Sequence, residues 1–448
     1  ITPNKYGDWI SQRSEEFETR PTLGDKKHTQ TPYFAKYSSG VGTGRDAWTT
    51  NSDRKVVEKS IRRSIGFYNS EVDRLAGSEH FSSADSLIRV DNTQFKWDRI
   101  NKRDVLRGVK LRFNELKIRR ILYRPFFPQY IYFDKEQKLN NCTYQLPSIY
   151  PTCQHENIGY YIVNPGSAKP FSTIATDLLP DLAMWGSNAG QFFPRFTWRP
   201  VEAPVGELNL DVGTTTDAET SIYGKIGEVV DGYRRIDNIT DEIKKIYRDH
   251  LDPDVTGDDI FHFVYALLHS PDYRETYKAD LKKMLPHIET PTDRAFFDAY
   301  AEAGKELLDL HVNYEDVEPW PVDVQVKKTA NPGDPATWKV TKPKWAKTTD
   351  PETGKKVNDT TRMIYNPKVT IAGIPAEAER YQLGSRSALG WVIDRYQIKK
   401  DKASGIVNDP NDLAAEAGNP RYIVDLVAKV TRVAMETNRI VDSLSTKE

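Results

Sequence analysis

The apolar and polar positions of the chain change period several times along its length. Residues 1–50 are irregular and polar, with Trp9 and Phe17 as candidate anchors. From Val56 to Tyr68, Val56, Val57, Ile61, Ile65 and Tyr68 recur at helical spacing with basic residues between them, which predicts a helix. Gly159-Tyr160-Tyr161-Ile162-Val163 reads as a buried strand stopped by the turn Asn164-Pro165-Gly166. Short apolar segments continue to about 198, broken by Pro180, Gly186, Gly190 and Pro194, with Gln191–Phe196 a further strand. Between Pro200 and Thr220 no periodicity survives, which predicts a surface loop or linker. A helical period then returns. Thr256 and Asp259 have capping-box spacing ahead of Ile260, Phe261, Val264 and Leu267. Ser270-Pro271 restarts a helix with Pro in its first position, and Thr290-Pro291-Thr292-Asp293 opens a third. Three closely connected helices predict a small bundle. From Val322 to Ile374 the period is two: Val322, Val324 and Val326, then Trp338-Lys339-Val340, Met363-Ile364-Tyr365 and Val369-Thr370-Ile371, together a half-exposed β-meander. Asn419-Pro420 opens a closing helix with Ile423, Val427, Val430 and Val433 inward.

The fold class this predicts is mixed α/β (α+β): a strand-rich amino half, a helical bundle, a β-meander and closing helices. The expected divisions are 1–205, 206–320, 321–376 and 377–448. At 448 residues the chain is long for a single core. Its 38% apolar and 28% charged composition is that of an ordinary globular protein, and no apolar run approaches the roughly 20 residues that span a bilayer. The opening ITPNKYGDWISQR has no continuous apolar segment of the kind a secretory signal needs. Two cysteines, Cys142 and Cys153, suggest a reducing, cytoplasmic setting, and the interval between them matches no common zinc spacing. Because the sequence begins at Ile1 rather than Met, it is expected to be a piece of a longer polypeptide.

Charge changes the picture most between Arg89 and Phe133. Twelve Lys or Arg lie between Arg89 and Arg124 against four acids, Asp91, Asp98, Asp104 and Glu115, on a chain whose net charge is −1. Trp97, Phe113, Tyr123, Phe126, Phe127, Tyr130, Tyr132 and Phe133 are threaded through or follow it. Cations displace counterions from phosphates and planar groups contact sugars or bases, so the pattern suits nucleic acid; a solvated helix face followed by a core strand has the same composition.

Little else carries chemistry. The glycine-rich Ser38–Asp46 could cradle an anion, but it lacks the Gly-Lys-Ser/Thr ending and the G-x-G-x-x-G spacing of nucleotide loops, so a structural turn is expected, with Arg45 on a DNA phosphate as the lesser reading. His262 and His269 share a helix face but lie about 10.5 Å apart along the axis, too far to chelate one zinc alone; packing histidines are expected. Val322-Asp323-Val324-Gln325-Val326-Lys327 faintly echoes the acid-x-Lys strand of Mg-dependent nucleases, without a convincing second carboxylate. No Gly-x-Ser-x-Gly elbow, His-Glu-x-x-His helix or Asn/Asp-Pro-Pro-Tyr/Phe methyltransferase motif occurs.

Several segments in order resemble one family. They include Gly7-Asp8-Trp9, Thr43-Gly44-Arg45-Asp46-Ala47-Trp48, Tyr123-Arg124-Pro125-Phe126, Tyr265–Arg274, Ala303-Gly304-Lys305-Glu306-Leu307, Gly373-Ile374-Pro375, Ser387–Tyr396 and Ser404–Asn411. Together these resemble the carboxy-terminal target-recognition region of the single-polypeptide type ISP restriction–modification enzymes. The resemblance implies sequence-specific recognition of double-stranded DNA. Catalysis would lie in other domains of the parent polypeptide, a nuclease, a helicase-like ATPase and an N6-adenine methyltransferase using S-adenosylmethionine, ATP and Mg. It implies no cofactor, metal or catalytic residue in this chain, and no membrane partner. Candidate DNA contacts are Arg45, Lys96, Arg99, Lys102, Arg103, Arg107, Lys110, Arg112, Arg124 and Lys169, chiefly to phosphates, which position without specifying. On this reading Arg89–Arg124 grips the backbone and Tyr123–Phe133 holds that surface to the core. The alternatives are a platform that docks the methyltransferase and helicase domains, and a Mg-dependent nuclease.

Overall fold

The computed structural model of the chain describes residues 14, 16–27, 29–76, 84–137, 139, 145–186, 190–201 and 220–444. The loop expected between Pro200 and Thr220, Trp9 and Cys142 fall wholly or largely outside these residues.

Three apolar clusters organise it. The first joins Ile121, Leu122 and Phe127 to Tyr161, Trp185, Met363, Trp391 and Val427. The second joins Phe34, Tyr160 and Phe193 to Phe261, Tyr265, Phe297 and Leu307. The third is a helical layer around Val57, Ile61, Tyr68, Phe95 and Val105, closed by Ile118 and Tyr132. The segments on either side of residues 205, 320 and 376 share cores, because the first cluster draws side chains from both ends of the chain.

The strand Gly159–Val163 shows why its apolar run does not alternate. It is the centre of an antiparallel sheet between Thr173–Thr176 and Gly190–Pro194. Tyr160 and Ile162 enter the second cluster while Tyr161 and Val163 enter the first, so both faces are buried. A second sheet carries Thr50–Asn51, Phe127–Tyr132, Ile118–Arg124 and Leu179–Pro180 in that order. Its central hairpin turns through Pro125 and Phe126, with Phe126 at φ 57°. Proline followed by a positive φ is the type II turn pattern, in which glycine usually holds the second place. Phe126 is held there because its ring is fully buried against Tyr314 and its carbonyl accepts from Tyr396 Oη at 3.0 Å.

Among the helices, Gly257–Leu267 opens with the capping box of Thr256 and Asp259 that the spacing predicts, and Pro271–Thr276 has its Pro at the start. Arg294–Val312 packs along Gly257–Leu267 and also meets the closing helix Tyr422–Leu444. The alternating segment departs from a simple meander. Its sheet order is Asp323–Val326, Val369–Ala372, Lys356–Ile364, Lys344–Thr349, so the first strand pairs with the last. Trp338-Lys339-Val340 is not a strand. It follows the short turn Pro335–Thr337, and its carbonyls accept side chains instead: Tyr365 Oη on Trp338 at 2.6 Å and Asn366 Nδ2 on Lys339 at 2.9 Å. Burial of Trp338 and Val340 around an exposed Lys339 imitates a strand's period in an irregular segment. No helix among the described residues is long and apolar enough to cross a membrane.

Candidate nucleic-acid interface

The basic surface is built by two helices over one face of the second sheet. Arg54–Leu75 begins at Asp53, whose side chain accepts from Lys55 N, and turns Val57, Ile61, Ile65, Tyr68 and Val72 inward. Its opposite side exposes Arg54, Lys55, Lys59, Arg62 and Arg63. The shorter helix Arg99–Leu106 begins at Asp98, which accepts from Asn101 N at 2.8 Å, and buries Asn101 and Val105. Arg99, Arg103 and Arg107 follow at intervals of four, so they stand one above another on a single face, and all three are exposed.

The expected cations divide into several groups. Lys96, Arg99, Arg107 and Arg112 are exposed and make no side-chain ion pair with a described residue. Lys102 is half-buried. Arg103 pairs with its partly buried neighbour Asp104 at 3.1 Å, and Lys110 with Asp73 at 2.7 Å in solvent, where such a pair contributes little and exchanges readily. Arg45 and Arg124 do not share this surface. Arg45 is 4% exposed, bonded to the Asp98 carboxylate and to Asn101 Oδ1, so it anchors the start of the Arg99–Leu106 helix from beneath. Arg124 is 5% exposed and meets the buried Asp181 at 2.7 Å. A buried guanidinium cannot leave its carboxylate for a phosphate without stranding a charge in the core. Lys169 lies apart from the helical layer, its ammonium donating to the Trp185 carbonyl.

The basic run itself divides near Glu115. Downstream, Lys117 is held by Asp134 at 3.1 Å and Glu136 at 2.9 Å, Arg119 bonds the His155 carbonyl, and Arg120 lies over the Tyr130 ring. The aromatics serve the core as well. Trp97 packs on Phe95 and Tyr68 and donates to the Arg89 carbonyl at 2.9 Å, and Phe113 stacks on Tyr132 beneath the Arg62 guanidinium. Glycine explains the turn before Arg45: a Cβ at Gly40 would collide with the backbone of Pro180 and Asp181.

Beside the helical layer a cleft of about 270 Å³ is walled by Asp46, Asn51 and Gln129 on one side and Arg395, Lys399 and Asn408 on the other. Asn51 and Gln129 are engaged across it, Asn51 Nδ2 with the Val407 carbonyl and Gln129 Nε2 with Asn408 Oδ1, each at 3.0 Å. A larger cleft of about 810 Å³ is of mixed charge, with Glu302, Glu306 and Asp309 alongside Arg119, Arg120, Arg235 and Lys305.

The two histidines have packing roles. His262 is buried and bonded to Tyr223 Oη at 2.6 Å, and burial lowers its pKa to about 4. His269 is buried on the Tyr265 carbonyl at 2.9 Å, and burial lowers its pKa likewise. Asp323 is exposed on an edge strand and accepts from Gln325 Nε2 at 2.6 Å. No group of three or more His, Cys, Asp or Glu among the described residues is placed to hold a metal ion.

The fold and surface define a mixed α/β module with a basic helical face. The profile of the Type ISP C-terminal specificity domain matches residues 32–426, and the chain belongs to that family. Three solved structures superpose on all of it. They are a nuclease-deletion mutant of the type ISP enzyme LlaGI with a DNA substrate mimic (30% identity, TM-score 0.77), the ATP-dependent type ISP enzyme LlaBIII bound to DNA (28%, 0.79) and a DrdV–DNA complex (28%, 0.78). The chain spans 36%, 25% and 40% of those chains respectively. No curated protein matches the chain in sequence.

Proposed function

We propose that this chain recognises a specific double-stranded DNA sequence as the target-recognition part of a type ISP restriction–modification enzyme. The observation that carries the reading is the ladder Arg99, Arg103 and Arg107, with Lys96 and Arg112 beside it, on a helical surface whose own acids neutralise only part of its charge. The match to LlaGI and LlaBIII, each described with DNA or a DNA mimic, supports it. In this reading the ladder grips phosphates and sets the register. Adenine methylation and ATP-driven restriction, with S-adenosylmethionine, ATP and Mg, belong to other domains of the parent polypeptide, and this chain performs no catalysis.

The test is duplex binding by the 448-residue chain, followed by fluorescence anisotropy across a salt series. Replacing Arg99, Arg107 and Arg112 by Gln is expected to weaken binding to all duplexes alike. It should also flatten the slope of log K against log salt by about 0.9 for each phosphate that the variant no longer neutralises. Unchanged binding and slope in the triple variant would contradict the assignment. A second reading, a platform that docks neighbouring domains, takes the larger, mixed-charge cleft that holds Glu302, Glu306 and Asp309 as its docking site. It predicts that replacing those acids leaves DNA binding intact and weakens association with the methyltransferase domain.

A further inference from the structure

A second group of cations, Lys169, Arg386, Arg395 and Lys399, gathers beside the 270 Å³ cleft, which Arg395 and Lys399 line. Arg386 and Arg395 both lie against the buried Trp391 ring, their guanidinium carbons 5.0 and 5.5 Å from its centroid. They share one carboxylate, Asp394, at 3.7 Å from Arg386 Nη2 and 2.7 Å from Arg395 Nε. The two lysines beside them are held by main-chain carbonyls, Lys399 by Asp394 at 2.9 Å and Lys169 by Trp185. Carbonyl oxygens orient an ammonium but do not neutralise it. Four positive charges therefore outnumber the acids beside them, Asp394 between the arginines and Asp46 and Asp401 on the cleft that Arg395 and Lys399 line.

Gly186 lies between two of these cations. Gly186 has φ 86°, and the place a Cβ would occupy lies 3.8 Å from both Arg395 Nη2 and Lys169 Nζ and 3.4 Å from Trp391 Cη2. The Arg395 guanidinium and the Lys169 ammonium thus flank the Gly186 backbone beside the Trp391 ring. Burial first, then the neighbouring guanidiniums, hold the Lys169 ammonium below the ordinary lysine range, and burial and the same cations act on Lys399.

We propose that Lys169, Arg386, Arg395 and Lys399 form a seat for one phosphodiester group of a DNA backbone. The proposal rests on the DNA-recognition reading above and gives that reading a second point of contact. Continuity decides the ligand. Arg395 and Lys399 line the cleft that adjoins the helical layer, and Lys96 of that layer lies close enough to Asp401, beyond Lys400 in the same cleft wall, to stabilise its negative charge. The two basic surfaces thus flank one cleft, as a backbone crossing from one to the other requires.

The experiment compares duplex binding by the full chain in three forms across a salt series: wild type, Lys169→Gln with Lys399→Gln, and Arg99→Gln with Arg107→Gln. The seat holds one phosphate, so the first double variant is expected to show a slope of log K against log salt shallower by about 0.9, with an unchanged melting temperature. If that double variant loses stability, Arg386→Gln alone, at a half-exposed position, must show the same slope change. A wild-type slope in the seat variants, while the helical variant flattens it, overturns the seat and leaves the DNA reading standing. No duplex binding by the wild type overturns both. Displacement of the effect by ATP at concentrations that leave duplex bound would assign the seat to free nucleotide and overturn the proposal.

Discussion

Arginine has two distinct uses in this chain, and burial separates them. Arg195 is fully buried, its Nε donating to Asp258 Oδ1 at 2.7 Å and its Nη1 to Asp237, while Lys244 reaches Asp237 at 3.3 Å. Arg195→Ala removes the partner of two buried carboxylates and is expected to cost about 3–5 kcal/mol, measured by urea unfolding. Arg99 and Arg107 are exposed, and their replacement is expected to change stability by less than about 0.5 kcal/mol. The buried histidines give a pH dependence of known sign. Burial lowers the pKa of His262 to about 4 and of His311 to about 3, and pushes that of His269 down as well, below the roughly 6.5 of an unfolded histidine. The unfolded chain therefore binds more protons, and the stability these neutral side chains confer is complete above pH ~6.5 and lost as pH falls towards 4. Each therefore makes the folded chain less stable as the pH falls through that window. Equal urea midpoints at about pH 7.5 and about pH 5 would contradict this account. Sequence could not sort the arginines because burial depends on partners such as Asp98 for Arg45 and Asp181 for Arg124, which lie 53 and 57 residues away.

Elements whose signals are local were legible. The Thr256–Asp259 capping box, the Pro at the start of Pro271–Thr276 and the apolar face of Arg54–Leu75 all follow from residues within a few turns of one another. Strand order was not legible, since Asp323–Val326 pairs with Val369–Ala372 rather than with the next strand in the chain. Nor was the role of Gly304 within the motif Ala303-Gly304-Lys305-Glu306-Leu307. A Cβ at Gly304 would overlap the His262 carbonyl on the facing helix, so glycine sets the approach of Arg294–Val312 to Gly257–Leu267. Gly304→Ala improves helix propensity yet forces the helices apart. It is expected to destabilise the chain by about 2–3 kcal/mol, whereas a gain in melting temperature would show the contact to be relaxed in solution.

At the scale of the whole molecule, the helical layer joins the rest through Ile118 and Tyr132 on the second sheet, and that sheet joins the closing segment through Asn51, Gln129 and Asn408. The ladder on the helices and the cations around Trp391 are thus held on one framework across a cleft. The sequence stretch Arg89–Phe133 pointed to half of this arrangement; the other half is assembled from Lys169 and from residues 386–399, which lie far apart in the chain and meet only through the fold. Tyr123-Arg124-Pro125-Phe126 sits between the two as a buried turn, a structural element rather than a DNA-facing one. The most direct test of the central proposal is the salt dependence of duplex binding by the full chain between about 50 and 200 mM salt. The account predicts a log–log slope of several negative units that flattens when Arg99, Arg107 and Arg112 become Gln. A slope near zero, or one indifferent to those three residues, would contradict it.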